Sequence, residues 1–107
     1  MKTLIQKIEE GKELLVHFYT TWCGTCSMLK PELKKFKDEF CSCVEIEEVN
    51  LDRDTHLLNH FHIKQLPTII LFKKGEEVWR NVGIIGAEEI KTAYQQHDVC
   101  NKFTHKL

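Results

Sequence analysis

The chain has no long apolar run. Its longest stretches, such as Ile69 to Phe72, fall far short of the roughly 20 residues that span a bilayer, which argues against a membrane helix. Neither sign of charge dominates. Fifteen Lys and Arg stand against 16 Asp and Glu, interleaved to a net −1, so the basic stripe that binds phosphate backbones is missing and nucleic acid is not an expected partner. Residues 1–10 (MKTLIQKIEE) meet charges before a continuous apolar segment can form, so they do not read as a secretory signal, and the expected compartment is the cytoplasm. An even cysteine count is also missing. Five cysteines do not suit the paired framework of an extracellular scaffold, and in a reducing compartment they are expected as thiols unless one pair is catalytic. Repeats, low-complexity tracts and linkers are absent as well.

What is present is an ordinary globule, 42% hydrophobic and 29% charged over 107 residues, which excludes disorder, collagen and coiled coil. The length predicts one domain over 1–107 that buries roughly two-thirds of its unfolded surface. Leu4, Ile5 and Ile8 mark a short amphipathic helix ended by Gly11. Glu13 to Tyr19 is a nearly continuous apolar run, the pattern of a strand buried on both faces. Leu29, Leu33, Phe36 and Phe40 place one buried stripe on a helix beginning near Cys23, with Pro31 expected to kink it. Residues 43–51 alternate as a second strand, and Asp54 opens a helix carrying Leu57, Leu58 and Phe61. After Pro67, Thr68 to Phe72 forms a third strand, which a hairpin at Lys73–Glu76 joins to a fourth over Glu77–Val82. A last helix begins near Ala87, with Ile90, Ala93, Tyr94 and His97 as a stripe reaching about residue 102. This order predicts a mixed four-stranded α/β sheet with helices on both faces, parallel where helices cross over and antiparallel at the hairpin.

Trp22-Cys23-Gly24-Thr25-Cys26 sits where strand gives way to helix. There the unsatisfied N–H groups and positive end of the helix favour a thiolate, so Cys23 is the expected acidic nucleophile. A fall in its pKa from ~8.5 to ~7 is worth about 2 kcal/mol and takes the thiolate from a few per cent to about half at neutral pH. Cys26, one turn on, lies close enough to close a disulfide. A pair of buried thiols, or half of a zinc site, is the competing reading of a lone C-x-x-C. A zinc site shared with Cys41 and Cys43 fails on distance, because helix separates them from Cys26 by about 22 Å. His56 and His60 are four apart with His62 nearby, yet no carboxylate motif completes a coordination set, so no metal is expected. Cys41, Cys43 and Cys100 are expected to pack as small apolar residues, and Trp79 to pack on the sheet.

In combination, Phe18 to Cys26 (FYTTWCGTC), Pro31, Val49 to Asp52 (VNLD), Leu66-Pro67-Thr68, the Lys-Lys-Gly-Glu hairpin and Val82-Gly83 resemble the thioredoxin family over nearly the whole chain. The resemblance implies that Cys23 attacks, Cys26 resolves, and Pro67 is cis and faces the disulfide. It further implies that the main chain of Leu66 pairs with an extended client, with Trp22, Leu66, Pro67, Gly83 and Ile84 rimming an apolar groove. For Leu66 and Ile84, plain core packing competes. The implied activity is that of a thiol–disulfide oxidoreductase, a monomer acting on proteins that carry disulfides. It binds no cofactor beyond its redox-active Cys23–Cys26 pair and is reset by a thioredoxin reductase, an NADPH-using flavoprotein, or by another thiol reductant. The alternative is a binding or redox-sensing module without turnover.

Three positions depart from the family pattern. His17 replaces the usual buried aspartate and Glu48 the usual lysine, which suggests a proton relay beneath Cys26; a neutral histidine satisfied by one hydrogen bond competes. Thr25 replaces the proline between Gly24 and Cys26, restoring an N–H for the Cys23 sulfur and raising the expected reduction potential. Finally, too few residues precede Cys23 for the family's first strand. The strand at 43–51 is therefore expected at the sheet edge, with Glu45 and Glu47 either discouraging edge pairing or simply solvated.

Overall fold

The computed structural model describes residues 2–40 and 43–97. α1 (Leu4–Glu9) starts on a reciprocal cap, in which Gln6 N donates to Thr3 Oγ1 and Thr3 N to Gln6 Oε1. It ends at Gly11, whose φ of 87° belongs to the left-handed region. β1 (Leu14–Tyr19) is almost fully buried because it is central, parallel to β2 (Glu45–Asn50) on one side and antiparallel to β3 (Thr68–Lys73) on the other. β4 (Glu76–Val82) extends the sheet to the order β2-β1-β3-β4. Its hairpin places Lys74 and Gly75 both at positive φ, the geometry that matches the twist of the flanking strands.

α2 runs from Cys26 to Glu39 and continues past Pro31, burying Leu29, Leu33 and Phe36. It starts three residues later than expected. Cys23 and Gly24 instead form a turn, closed by Cys26 N donating to Cys23 O at 3.2 Å. α3 is also shorter than expected, covering only His56–His60. The carbonyls of Asp54 and Thr55 accept from Leu57 and Leu58, a tighter turn that delays the regular helix. α4 (Ala87–Gln96) buries Ile90, Ala93 and Tyr94, with His97 as its C-cap; the expected continuation to residue 102 lies outside the described residues.

Two apolar layers sandwich the sheet. Leu15, Ile69 and Leu71 face α2 and α4, with Trp79 packed at the margin. Leu14, Val16, Phe18, Ile70 and Phe72 face α1 and α3. Among the described residues no strand precedes β1, and β2 is an edge. Glu45 and Glu47 on that edge keep part of their side chains in solvent, 42% and 24% exposed, yet are not solvated alone. Lys7 from α1 ion-pairs with both, 2.9 Å from Glu45 Oε2, so one of the two charges is offset and a side chain lies against the strand.

Candidate redox site

The registers bring four segments to one end of the sheet. Tyr19 pairs with Asn50, Phe18 with Thr68, and Thr68 with Val82. The segments that follow or precede these residues are Thr20–Cys23, Leu51–Asp52, Leu66–Pro67 and Gly83–Ile84. Asp52 Oδ2 accepts from Thr21 N at 2.8 Å and ties the loop after β1 to the loop after β2. The Leu66–Pro67 bond is cis, as expected. Gly83 N donates to Pro67 O at 2.8 Å, and its φ of 97° is one that side-chain-bearing residues rarely adopt.

Cys23 and Cys26 form a disulfide with Cα atoms 5.3 Å apart. Their environments differ. Cys26 is 3% exposed in the first turn of α2, whereas Cys23 is half-buried and the more accessible of the two. Gly24 and Thr25 are exposed, and the Gly24 carbonyl accepts from Ser27 Oγ. The helix begins beyond Cys23, so the dipole acts across the turn. The Thr25 hydroxyl is nearer, with Oγ1 3.6 Å from Cys23 Sγ. The donor beside the Cys23 sulfur is thus the Thr25 side chain, where the sequence had pointed to its main-chain N–H.

Trp22 is 89% exposed and Ile84 51%, so neither is a core residue. Leu66 is half-buried against the α1/α3 layer, and Pro67 is buried. Met28 and Val82, 56% and 48% exposed, are apolar surface that the sequence reading missed. The signal was available in Met28, which precedes the buried Leu29 and falls off the α2 stripe.

His17 is 1% exposed, and neither ring nitrogen has a hydrogen-bond partner. This removes the satisfied-histidine reading. Nδ1 lies 3.6 Å from Glu48 Oε2, beyond hydrogen-bond distance but close enough for charge to matter. Glu48, the other half of the expected relay, is only partly buried; its side chain remains 30% exposed at the sheet edge. Burial pushes the His17 pKa below its ordinary value, opposed by the Glu48 carboxylate and reinforced by Lys30. His17, Cys23, Cys26, Ser27, Lys30 and Asn50 share the wall of one cavity of about 310 Å³.

The remaining candidates do not assemble. His56, His60 and His62 are all exposed, and the described residues hold no group of three metal-ligating side chains. Cys43 is exposed rather than packed, its sulfur is disulfide-bonded rather than a free thiol, and it lies 3.6 Å from Tyr94 Oη; Cys41 and Cys100 lie outside the described residues. No helix of the described residues is long and apolar enough to cross a membrane.

The thioredoxin family model matches residues 2–96. A thioredoxin of Alicyclobacillus acidocaldarius is 34% identical over 86 residues, 80% of this chain and 82% of that protein. A thioredoxin of Mycoplasma genitalium is 34% identical over 90 residues, 84% and 87% of the two. Among solved structures, chloroplastic thioredoxin z superposes with a TM-score of 0.76 at 28% identity, covering 88% of this chain and 86% of that one. Thioredoxin-2 of the malaria parasite gives a TM-score of 0.75 at 25% identity, covering 81% and 84%.

Proposed function

Because the chain belongs to the thioredoxin family, we propose that it reduces or exchanges the disulfides of client proteins through Cys23 and Cys26. The supporting observation is the asymmetric sulfur pair, one accessible and one buried a turn deeper, at the sheet end where an apolar surface is exposed. In the reduced protein, the Cys23 thiolate attacks a client disulfide, forms a Cys23–client bond and releases one client thiolate. Cys26 then loses its proton and attacks the Cys23 sulfur. The client leaves as its second thiolate, and two electrons have passed from the protein dithiol to the client.

His17 is the base we assign to Cys26. Its Nδ1 faces Glu48, which leaves Nε2 as the free lone pair, and burial keeps the ring unprotonated near neutral pH while the Glu48 carboxylate favours the protonated form. The Thr25 hydroxyl donates to the Cys23 thiolate, which stabilises the dithiol form and places the reduction potential above the ~ −270 mV of thioredoxin. Trp22, Leu66, Pro67, Gly83 and Ile84 hold an extended client segment, with Leu66 offering its main chain. The protein works as a cytoplasmic monomer without a bound cofactor, and thioredoxin reductase or another thiol reductant restores the dithiol.

The test is reduction of a protein disulfide driven by dithiothreitol and then by a thioredoxin reductase. Turnover should vanish in Cys23→Ser, and Cys26→Ser should accumulate a mixed disulfide on Cys23. Turnover that survives Cys23→Ser overturns the reading, and redox-dependent partner capture without turnover replaces it with a sensor.

A further inference from the structure

The cavity beneath the disulfide holds one charged side chain that the mechanism above does not use. Lys30 lies on α2, four residues after Cys26, and its Nζ is 3.6 Å from Glu48 Oε1. The other oxygen of the same carboxylate, Oε2, is 3.6 Å from His17 Nδ1. Glu48 therefore stands between a permanent cation and a buried imidazole, one oxygen toward each. Lys30 Nζ also sits 5.9 Å from the centroid of the Tyr19 ring, and that ring is 5.5 Å from the ring of His17. Three elements thus contribute to one chain of groups: His17 and Tyr19 from β1, Glu48 from β2, and Lys30 from α2 alongside Cys26. On the remaining side His17 pairs with Ile69 of β3, which brings no charge.

Resting on the relay reading of His17, we propose that Lys30 is a positioning residue for the resolving step, occupying one oxygen of Glu48 so that the carboxylate orients His17 without capturing its proton. A carboxylate free to close on Nδ1 gains a charge-assisted hydrogen bond to the imidazolium, which stabilises the protonated ring and removes the base that Cys26 needs. The Lys30 cation opposes this in two ways. It competes for the carboxylate, and its own charge disfavours a second cation across the cavity. Both effects keep His17 neutral with Nε2 unprotonated. Lys30 itself is exposed, its side chain 57% accessible. Lys30 shares the cavity wall with both cysteines, so its charge also favours their thiolates, and the titration of His17 itself isolates its effect on the imidazole.

Lys30→Met keeps the aliphatic stem and removes the charge at an exposed helix position, so the fold should be undisturbed. The direct readout is the ¹⁵N NMR titration of the His17 imidazole, assigned among six histidines by comparison with His17→Leu. In Lys30→Met the His17 titration should move to higher pH by roughly half a unit or more, the size expected of one charge lost at this range. The acid limb of dithiothreitol-driven turnover should move with it. Lys30→Arg should restore both to wild type, and Glu48→Gln should move His17 the opposite way. A His17 signal that does not move in Lys30→Met, whether it titrates within or below the accessible range, overturns the proposal. So does a moved signal with an unmoved rate profile. Failure of the relay itself looks different, because it leaves the pH–rate profile unchanged in His17→Leu.

Discussion

The two faces of the sheet are built to different specifications, although both are supplied by the same strand. Leu14, Val16 and Phe18 of β1 point toward α1 and α3, and the buried polar side chain on that face, Thr68 opposite Phe18, donates its hydroxyl to Gln65 O at 2.6 Å. Leu15 and His17 point toward α2 and α4, and the run of apolar residues breaks at His17, at the end nearest the disulfide. The first face contributes stability by burying hydrocarbon. The second gives up some of that contribution where a buried nitrogen base is needed, since an unpartnered polar group in a core costs rather than stabilises. The buried polar group of the first face is satisfied by a hydrogen bond, whereas that of the second has none.

The contrast yields predictions of decreasing size. Phe18→Ala, at a fully buried site of the apolar face, should cost about 3–5 kcal/mol in urea unfolding while the folded fraction turns over normally. A loss below about 1 kcal/mol would show that this face does not hold the fold. His17→Leu should do the reverse, gaining roughly 1–3 kcal/mol in stability while slowing turnover. Its pH behaviour sharpens the point. The folded His17 pKa lies below its ordinary value, so as pH falls through about 6.5 the unfolded chain takes up a proton first and the wild type loses stability. His17→Leu should show a flatter stability curve between neutral pH and pH 5, and an unchanged slope would place the acid sensitivity elsewhere. Thr25→Val should raise the Cys23 pKa by roughly half to one unit and lower the reduction potential, with Thr25→Ser close to wild type. Smallest in stability is Trp22→Ala. At 89% exposure the indole should change unfolding by no more than about 0.5 kcal/mol, yet the KM for protein clients should rise while small disulfides are unaffected.

The succession of strands and helices and the sulfur pair were legible in the sequence because each has a local signature. A continuous apolar run means a strand covered on both faces, and C-x-x-C between a strand and a helix means a redox pair. The cis bond at Pro67 came instead from resemblance to a family. What escaped depended on groups far apart in the chain. Lys7 reaches two glutamates some forty positions away, and Lys30 meets Glu48 only once α2 has folded across the edge strand. The late start of α2 was hidden for another reason. Its stripe of Leu29, Leu33 and Phe36 marks the buried face of the helix, whereas its first residue is decided by the backbone of the turn from Cys23 to Cys26.

The account depends most on the acidity of one sulfur. Its most direct test is the pH dependence of Cys23 alkylation by iodoacetamide in the fully reduced protein, with Cys26 buried and slow. The rate should reach half its maximum near pH ~7, the range of helix-start thiols in this motif. A midpoint at the ~8.5 of an ordinary cysteine would contradict the proposed chemistry.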